Sequence, residues 1–173
     1  DIFSNLNSYL LQLKSRLSVG IFLSLSFKNL TMEFYNIFFK AHQGFGYLEL
    51  ALVLAFLILL LVTMFGYSGK ISKGLRKVTL FTMVFFHIQF LLGLFLVINK
   101  FMQLGASVIM KTPEFRFQYV EHPFAMLIAA VLMTIINKKL KTAETLTIRL
   151  MSLGLVAIAL FVFAFPWARV FGS

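Results

Sequence analysis

The sequence predicts an all-α membrane protein in which four transmembrane helices form an up-down-up-down bundle. Four apolar runs follow one another along the 173 residues, and each is long enough, or nearly so, to cross a bilayer. The connections between the runs carry positive charge on alternate sides. Because about 20 apolar residues span the hydrocarbon and short connections join antiparallel neighbours, this alternation indicates a polytopic bundle.

The composition agrees with a location in lipid. Hydrophobic residues make up 60% of the chain, charged residues only 13%, and the mean hydropathy is +0.92. This leaves too little polar surface to cover a soluble globule. Half of the basic residues behind the net charge of +10 lie in two short loops, which membrane topogenesis explains without a nucleic-acid partner. The absence of cysteine excludes disulfides, thiolate zinc sites and cysteine-ligated iron-sulfur clusters.

The first 31 residues differ from the remainder. Their apolar stretch, Leu17–Phe27, is too short to span a membrane, and Met32 resembles a natural start. We expect 1–31 to be a poorly ordered or non-native extension and 32–173 to be the four-helix transmembrane domain. The alternative for the extension is an amphipathic helix at the membrane interface.

The first two predicted spans each carry an ionisable residue. The first covers about 45–65, contains Glu49 and ends before Gly66. The second covers about 78–98 and holds His87 near its middle. Both lengths suit a crossing of the bilayer.

A long connection leads to the third and fourth spans. The third covers 122–136, with Pro123 at a first helical position, where its missing N–H is tolerated. The fourth covers about 150–167, and Trp167 with Arg169 suits an interfacial anchor.

The loop charges predict an orientation. The loops after spans one and three carry eight basic residues and one acid, while the opposite side after Met32 carries five basic and four acidic residues. The positive-inside rule puts the two basic loops in the cytoplasm and both ends of the domain outside. The Leu- and Phe-rich spans are also compatible with a homo-oligomer.

A polar cluster is predicted at the outer face. His42 opens the first span and His122 opens the third, with Arg116 and Glu121 close by in the sequence. Glu49 lies two turns beyond His42 on the same helix face, about 10 Å deeper, where a carboxylate should be protonated or paired.

Ionisable residues within spans are functional candidates, because they are costly in lipid and usually face the interior. This applies to His42, Glu49 and His87. The structural alternatives are that Glu49 snorkels to the interface and that His87 hydrogen-bonds a neighbouring helix.

Two histidines can ligate one haem iron only if they lie at similar depth. His42 and His122 satisfy this, whereas His87 lies roughly 16 Å deeper, near the level of Met133, which makes a His87–Met133 pair a second option. Three histidines allow at most one bis-histidine haem b. Arg116 could neutralise the propionates or an anionic lipid head group, or form a salt bridge with a neighbouring glutamate.

The motifs resemble a family of small bacterial four-helix membrane proteins labelled cytochrome b-like. They are listed here in chain order: His42-Gln43-Gly44, His87, Gln89, Gly93, Arg116-Phe117, Glu121-His122-Pro123 and Pro166-Trp167. The resemblance covers Met32 to the C-terminus and implies a haem-associated role for His42, His87, Arg116, Glu121 and His122. The chain departs from the family pattern at Gln43, Gly46 and Tyr47, so the resemblance does not define ligand contacts of that turn.

No phosphate-binding loop, zincin motif or serine elbow is present in the sequence, which predicts a protein that is not an enzyme by itself. We expect an accessory electron-transfer component of the bacterial inner membrane, with one haem b or a quinone at His42 and His122, and with a respiratory membrane complex as partner. The alternatives are a cofactor-free structural or assembly subunit, and a small proton or solute transporter using Glu49 and His87.

Overall fold

A computed structural model describes the backbone of residues 2–167. Side chains are described from Leu30 to Trp167, together with four earlier ones: Lys14, Arg16, Ile21 and Ser26. Within this part of the chain the fold is all-α, as predicted, and the only bridge of strand type described joins Lys70 and Thr145.

Six α-helices follow one another. They are α1 (Ile2–Leu61), α2 (Lys73–Leu104), α3 (Ala106–Lys111), α4 (Pro113–Arg116), α5 (His122–Thr142) and α6 (Ile148–Ala164). A π-helical turn, Val62–Gly66, continues α1, and a second one, Phe117–Glu121, joins α4 to α5.

Among the described residues, three helical segments are long and apolar enough to cross a membrane: Leu30–Gly66, Lys73–Leu104 and Pro113–Thr142. The fourth apolar helix, Ile148–Ala164, has 17 residues. The chain therefore has the architecture of a helical membrane protein, and helical backbone covers most of each of the four predicted spans.

The chain divides into two compact units between Phe38 and Phe39. The first unit consists of the first part of α1, and the second contains the end of α1 and all the later helices. The predicted boundary at Met32, with 1–31 as a poorly ordered or non-native extension, is not tested by this division and stays a prediction.

Buried residues in the second unit recur at alternating intervals of three and four, which places them on one face of each helix. On α1 and its π turn they are Glu49, Val53, Phe56, Leu60 and Thr63; on α2 they are Leu75, Thr79, Thr82, Phe86, Gln89 and Leu96. On α5 and α6 the same spacing includes Met126, Ala129, Met133, Ile136, Leu150, Gly154, Ala157 and Phe161. Apart from Leu96, the apolar side chains named here from all four helices belong to one core cluster.

The long connection between α2 and His122 is largely helical. Gly105, at φ +77°, ends α2, and Pro113 begins α4. Helical backbone then runs from Pro113 through the π turn into α5, with Pro123 in its first turn. Proline would clash with the carbonyl four residues earlier in a regular helix, and the π turn directly before it relieves that clash.

The two basic loops meet at one end of the helices, here called the loop end. Ile71 N donates to Glu144 O at 3.0 Å, and Leu146 N donates to Gly69 O at 2.7 Å. Gly69 has φ +80°, and a Cβ there would lie 3.2 Å from Leu146 O, so glycine is needed.

Arg76 closes the same end by binding the C-terminus of α5. Its two terminal nitrogens donate to Lys141 O and Ala143 O, each at 2.9 Å. A guanidinium suits this position because its two donors satisfy carbonyls that have no partner within the helix.

Candidate functional site

His42 lies on α1 against Gly93 of α2. A Cβ added to Gly93 would lie 3.2 Å from His42 Cε1, so any side chain at Gly93 would push against the imidazole ring. The absence of a side chain at Gly93 therefore makes room for His42 between the two helices.

Gln89 makes the reciprocal contact one turn along α2. Its Nε2 donates to the backbone carbonyl of His42 at 2.9 Å, and a Cβ on Gly46 would lie only 3.1 Å from that nitrogen. The paired positions, His42 with Gly93 and Gly46 with Gln89, fix the register of α1 against α2 at this level. Gly46 thus leaves room for the Gln89 side chain.

His122, at the start of α5, faces His42. The two ring centroids are 6.1 Å apart with an interplanar angle of 81°. The structure therefore brings together the two histidines that the depth argument paired. We call the level of these residues the histidine level.

The tautomer of His122 follows from its partner. Its Nδ1 lies 2.8 Å from Ala164 O at the end of α6. A carbonyl oxygen can only accept, so Nδ1 carries the proton and donates, and in a neutral ring Nε2 has the lone pair. Metal-binding histidines are commonly oriented by such a bond from the other ring nitrogen to a backbone carbonyl.

Arg116 and Glu121 pair with each other beside the start of α5. Arg116 Nε donates to Glu121 Oε1 at 2.9 Å, and both side chains are more than 40% exposed. This is the salt bridge that the sequence analysis offered as the structural interpretation of Arg116. An exposed pair of this kind contributes about 0–1 kcal/mol, and a role toward a cofactor stays a prediction.

His87 does not join the other two histidines. It is exposed on α2, its Nδ1 donates to Met83 O at 2.7 Å, and its Nε2 lies 3.4 Å from Thr134 Oγ1. Since Thr134 follows Met133 on α5, the predicted depth of His87 agrees with this contact. Met133 itself faces the core with 1% exposure, so the structure does not present His87 and Met133 as a ligand pair.

Glu49 lies in the core stripe of α1. It is fully buried, and neither carboxylate oxygen has a hydrogen-bond partner among the described residues. It therefore does not snorkel to a surface. Glu49 is thus buried whereas His87 is exposed, and the transport interpretation stays a prediction.

The described residues contain no group of three or more His, Cys, Asp or Glu side chains that could hold a metal ion. A pair of imidazoles is nevertheless sufficient for haem iron, because the macrocycle supplies the remaining ligands. The donor set of the histidine level thus fits axial ligation of haem better than a metal site built by protein alone.

The sequence analysis identified both histidines but not the groups that hold them in place, which are Gln89, Gly93 and the Ala164 carbonyl. Gln89 and Gly93 entered only as parts of a motif, although the spacing of 89 and 93 on one helix face was a usable signal. The partner of His122, the Ala164 carbonyl, leaves no signal in the sequence, because every non-terminal residue has a carbonyl.

Comparison with protein-family models, with curated proteins and with solved structures finds no match for this chain. The resemblance to the cytochrome b-like family therefore stays a prediction.

Proposed function

We propose that this chain is a four-span redox component of the bacterial inner membrane, and that His42 and His122 hold one haem b. The single observation that carries the proposal is the meeting of the two imidazole rings at 6.1 Å between centroids. Metal-bound imidazole nitrogens lie about 2 Å from the metal, so one iron between two rings requires a separation of this size.

Two further contacts support axial ligation. The bond from His122 Nδ1 to the Ala164 carbonyl leaves Nε2 as the ligating nitrogen and orients the ring. On the other side, Gly93 gives the His42 ring its position beside α2. A bound haem would supply one-electron chemistry, and the exposed Arg116 would offer a positive charge to its carboxylates.

The membrane arrangement of the proposal has four crossings. At about 1.5 Å per residue, the 17 residues of α6 extend about 26 Å, close to a hydrocarbon core of about 30 Å. The eight basic residues of the loop end favour a cytoplasmic location for that end, which puts the histidine level near the outer face.

A cofactor-free structural or assembly subunit is the second candidate, and the polar ties between helices favour it. Gln89 bonds the carbonyl of His42, and His122 bonds the carbonyl of Ala164. Such bonds fix helix register in lipid even when nothing is bound. Partner proteins of a respiratory complex would then be contacted through the exposed apolar surface.

The test is a reduced-minus-oxidised visible spectrum with pyridine haemochrome quantification of the purified full chain, made under haem-replete conditions. We expect a b-type band and about one haem per chain, lost in both His42→Ala and His122→Ala. His87→Ala is the matched control, since His87 is exposed and apart from the pair, and it should keep the band.

A colourless preparation that is folded and helical would overturn haem ligation and favour the cofactor-free subunit. A colourless preparation that carries quinone, lost in His42→Ala, would identify the site as a quinone site. Loss of the band in His87→Ala alone would contradict the choice of ligands.

A further inference from the structure

Three buried side-chain oxygens in the described structure have no hydrogen-bond partner: both carboxylate oxygens of Glu49 and Oε1 of Gln89. Glu49 is fully buried and Gln89 is 5% exposed. All three atoms are acceptors if the carboxylate is ionised, and buried acceptors are rarely left without a donor. A missing donor is the feature to be explained.

The helix register brings the two residues to neighbouring positions. Gly46 of α1 lies against Gln89 of α2, with a Cβ-to-Nε2 distance of 3.1 Å. Glu49 is the next core position after Gly46 on the same face of α1, and Phe86 is the corresponding next position on α2. Glu49 therefore enters the core in the layer between Gln89 and Phe86.

The hydrogen bond to α1 fixes the orientation of the Gln89 amide. The His42 carbonyl can only accept, so Nε2 must be the atom directed toward it. Oε1 is consequently directed away from His42 and still needs a donor.

We propose that Glu49 and Gln89 form a buried proton-binding site, in which the protonated carboxyl of Glu49 donates to Gln89 Oε1. Gln89 Nε2 in turn donates to the His42 carbonyl, which gives a chain of two hydrogen bonds from α1 through α2 and back to α1. A single proton on Glu49 thereby gives a hydrogen-bond partner to one carboxyl oxygen of Glu49 and to Gln89 Oε1. This site does not depend on the proposed haem.

Loss of that proton would change the contact between α1 and α2. A buried carboxylate requires a donor, and the register places the Gln89 amide at the neighbouring core position. Rotation of the amide would direct Nε2 to Glu49 and Oε1 to the His42 carbonyl, so that two acceptors face each other. The hydrogen bond from Gln89 to the His42 carbonyl would then be lost. Protonation of Glu49 is in this way coupled to the contact between His42 and α2.

Few other ionisable groups face this site. On α1 the core-facing ionisable neighbour is His42, and on α5 it is His122. The described core positions of α2 and α6 carry none. The paired Arg116 and Glu121 are exposed, so no charged side chain at a described core position replaces the proton as a partner of Glu49.

The proton can be observed directly by infrared spectroscopy of the full chain in lipid. We expect the wild type at neutral pH to show the C=O stretching band of a buried protonated carboxyl, which Glu49→Gln removes. Glu114→Gln is the matched control, since Glu114 is exposed, and it should leave the band unchanged. The amide of Glu49→Gln can donate to Gln89 Oε1, so this variant should fold.

Gln89→Leu tests the acceptor. Removal of Oε1 should shift the frequency of the Glu49 band without abolishing it, whereas Gln43→Leu, at an exposed position of α1, should not shift it. An unshifted band in folded Gln89→Leu would overturn the pairing with Gln89.

The pH dependence of stability can be measured on the wild type itself. Because the folded protein holds a proton that the unfolded chain releases, the unfolding midpoint of the wild type should fall as pH rises. The midpoint of Glu49→Gln should change less over the same range.

A wild type with no protonated-carboxyl band at neutral pH would overturn the proposal outright. If stability then rose when NaCl replaced choline chloride, the three oxygens would hold a cation instead. None of these outcomes depends on the haem spectrum, so the two proposals fail separately.

Discussion

The two halves of α1 in the second unit use glycine to pack closely, but they fill the contact with opposite chemistry. Toward the loop end, a Cβ on Gly154 of α6 would lie 3.0 Å from Leu60 Cδ2 and 3.3 Å from Phe56 Cζ. At the histidine level, the neighbour of Gly93 is an imidazole and that of Gly46 is an amide. The close contact between helices is therefore apolar toward the loop end and polar at the histidine level.

The difference in chemistry separates stability from function. Apolar side chains in a close contact gain dispersion energy and leave no group unsatisfied, even in lipid. Imidazole, amide and carboxyl groups lose free energy on burial unless each finds a partner. We infer that the loop half supplies most of the packing free energy, whereas the polar groups of the histidine half contribute to stability only where each has a partner.

The largest effect should come from the apolar half. Phe56→Ala removes a fully buried ring and should lower the free energy of unfolding by about 3–5 kcal/mol. Phe81→Ala is the control, because Phe81 is 54% exposed on α2 and should change stability little. Helical circular dichroism during titration with a denaturing detergent measures both. Equal losses in the two variants would contradict the division between the halves.

Gly93→Leu should lower the free energy of unfolding less than Phe56→Ala does, but it should disturb the histidine level more. The added side chain meets the His42 ring and should cost about 1–3 kcal/mol through overpacking. It should also displace the ring and reduce haem loading under the proposed function. Gly44→Leu is matched to it, because a Cβ at Gly44 meets nothing within 4 Å. A stable Gly93→Leu protein with unchanged spectrum would show that α1 and α2 do not meet at this level.

The smallest effect is expected at the edge of the histidine half. Arg116→Ala breaks an exposed ion pair and should cost about 0–1 kcal/mol, since solvent screens both charges. The same detergent titration measures it, with Glu114→Ala as the control. A loss above about 2 kcal/mol would mean that Arg116 supports the histidine level far more than an exposed pair can.

The apolar segments were predictable because hydropathy and length are properties of the sequence itself. The predicted second span, about 78–98, lies within α2, and the predicted fourth span closely matches α6. The sequence analysis assigned no helix to the connection before His122, which is largely helical in the structure. In the structure Gly105 separates two helices and Pro113 begins the next.

The site was predictable only in part. Helical rise sufficed to pair His42 with His122 and to separate His87 from them, since depth along a helix follows from residue number. It did not reveal that His87 faces outward, or that Gln89 reaches the His42 carbonyl. Those facts depend on the rotation of each helix about its axis, which neighbouring helices determine.

The sequence by itself determined the helical class, the apolar segments, the two basic loops and the levels of the three histidines, because each depends on composition or on distance along a helix. Only the tertiary structure decided which side chains meet. The close approach at Gly93, the carbonyl of Ala164 beside His122 and the unpartnered oxygens of Glu49 arise from contacts between segments distant in the chain. Such contacts depend on packing between faces, and local sequence does not encode the identity of the partner face.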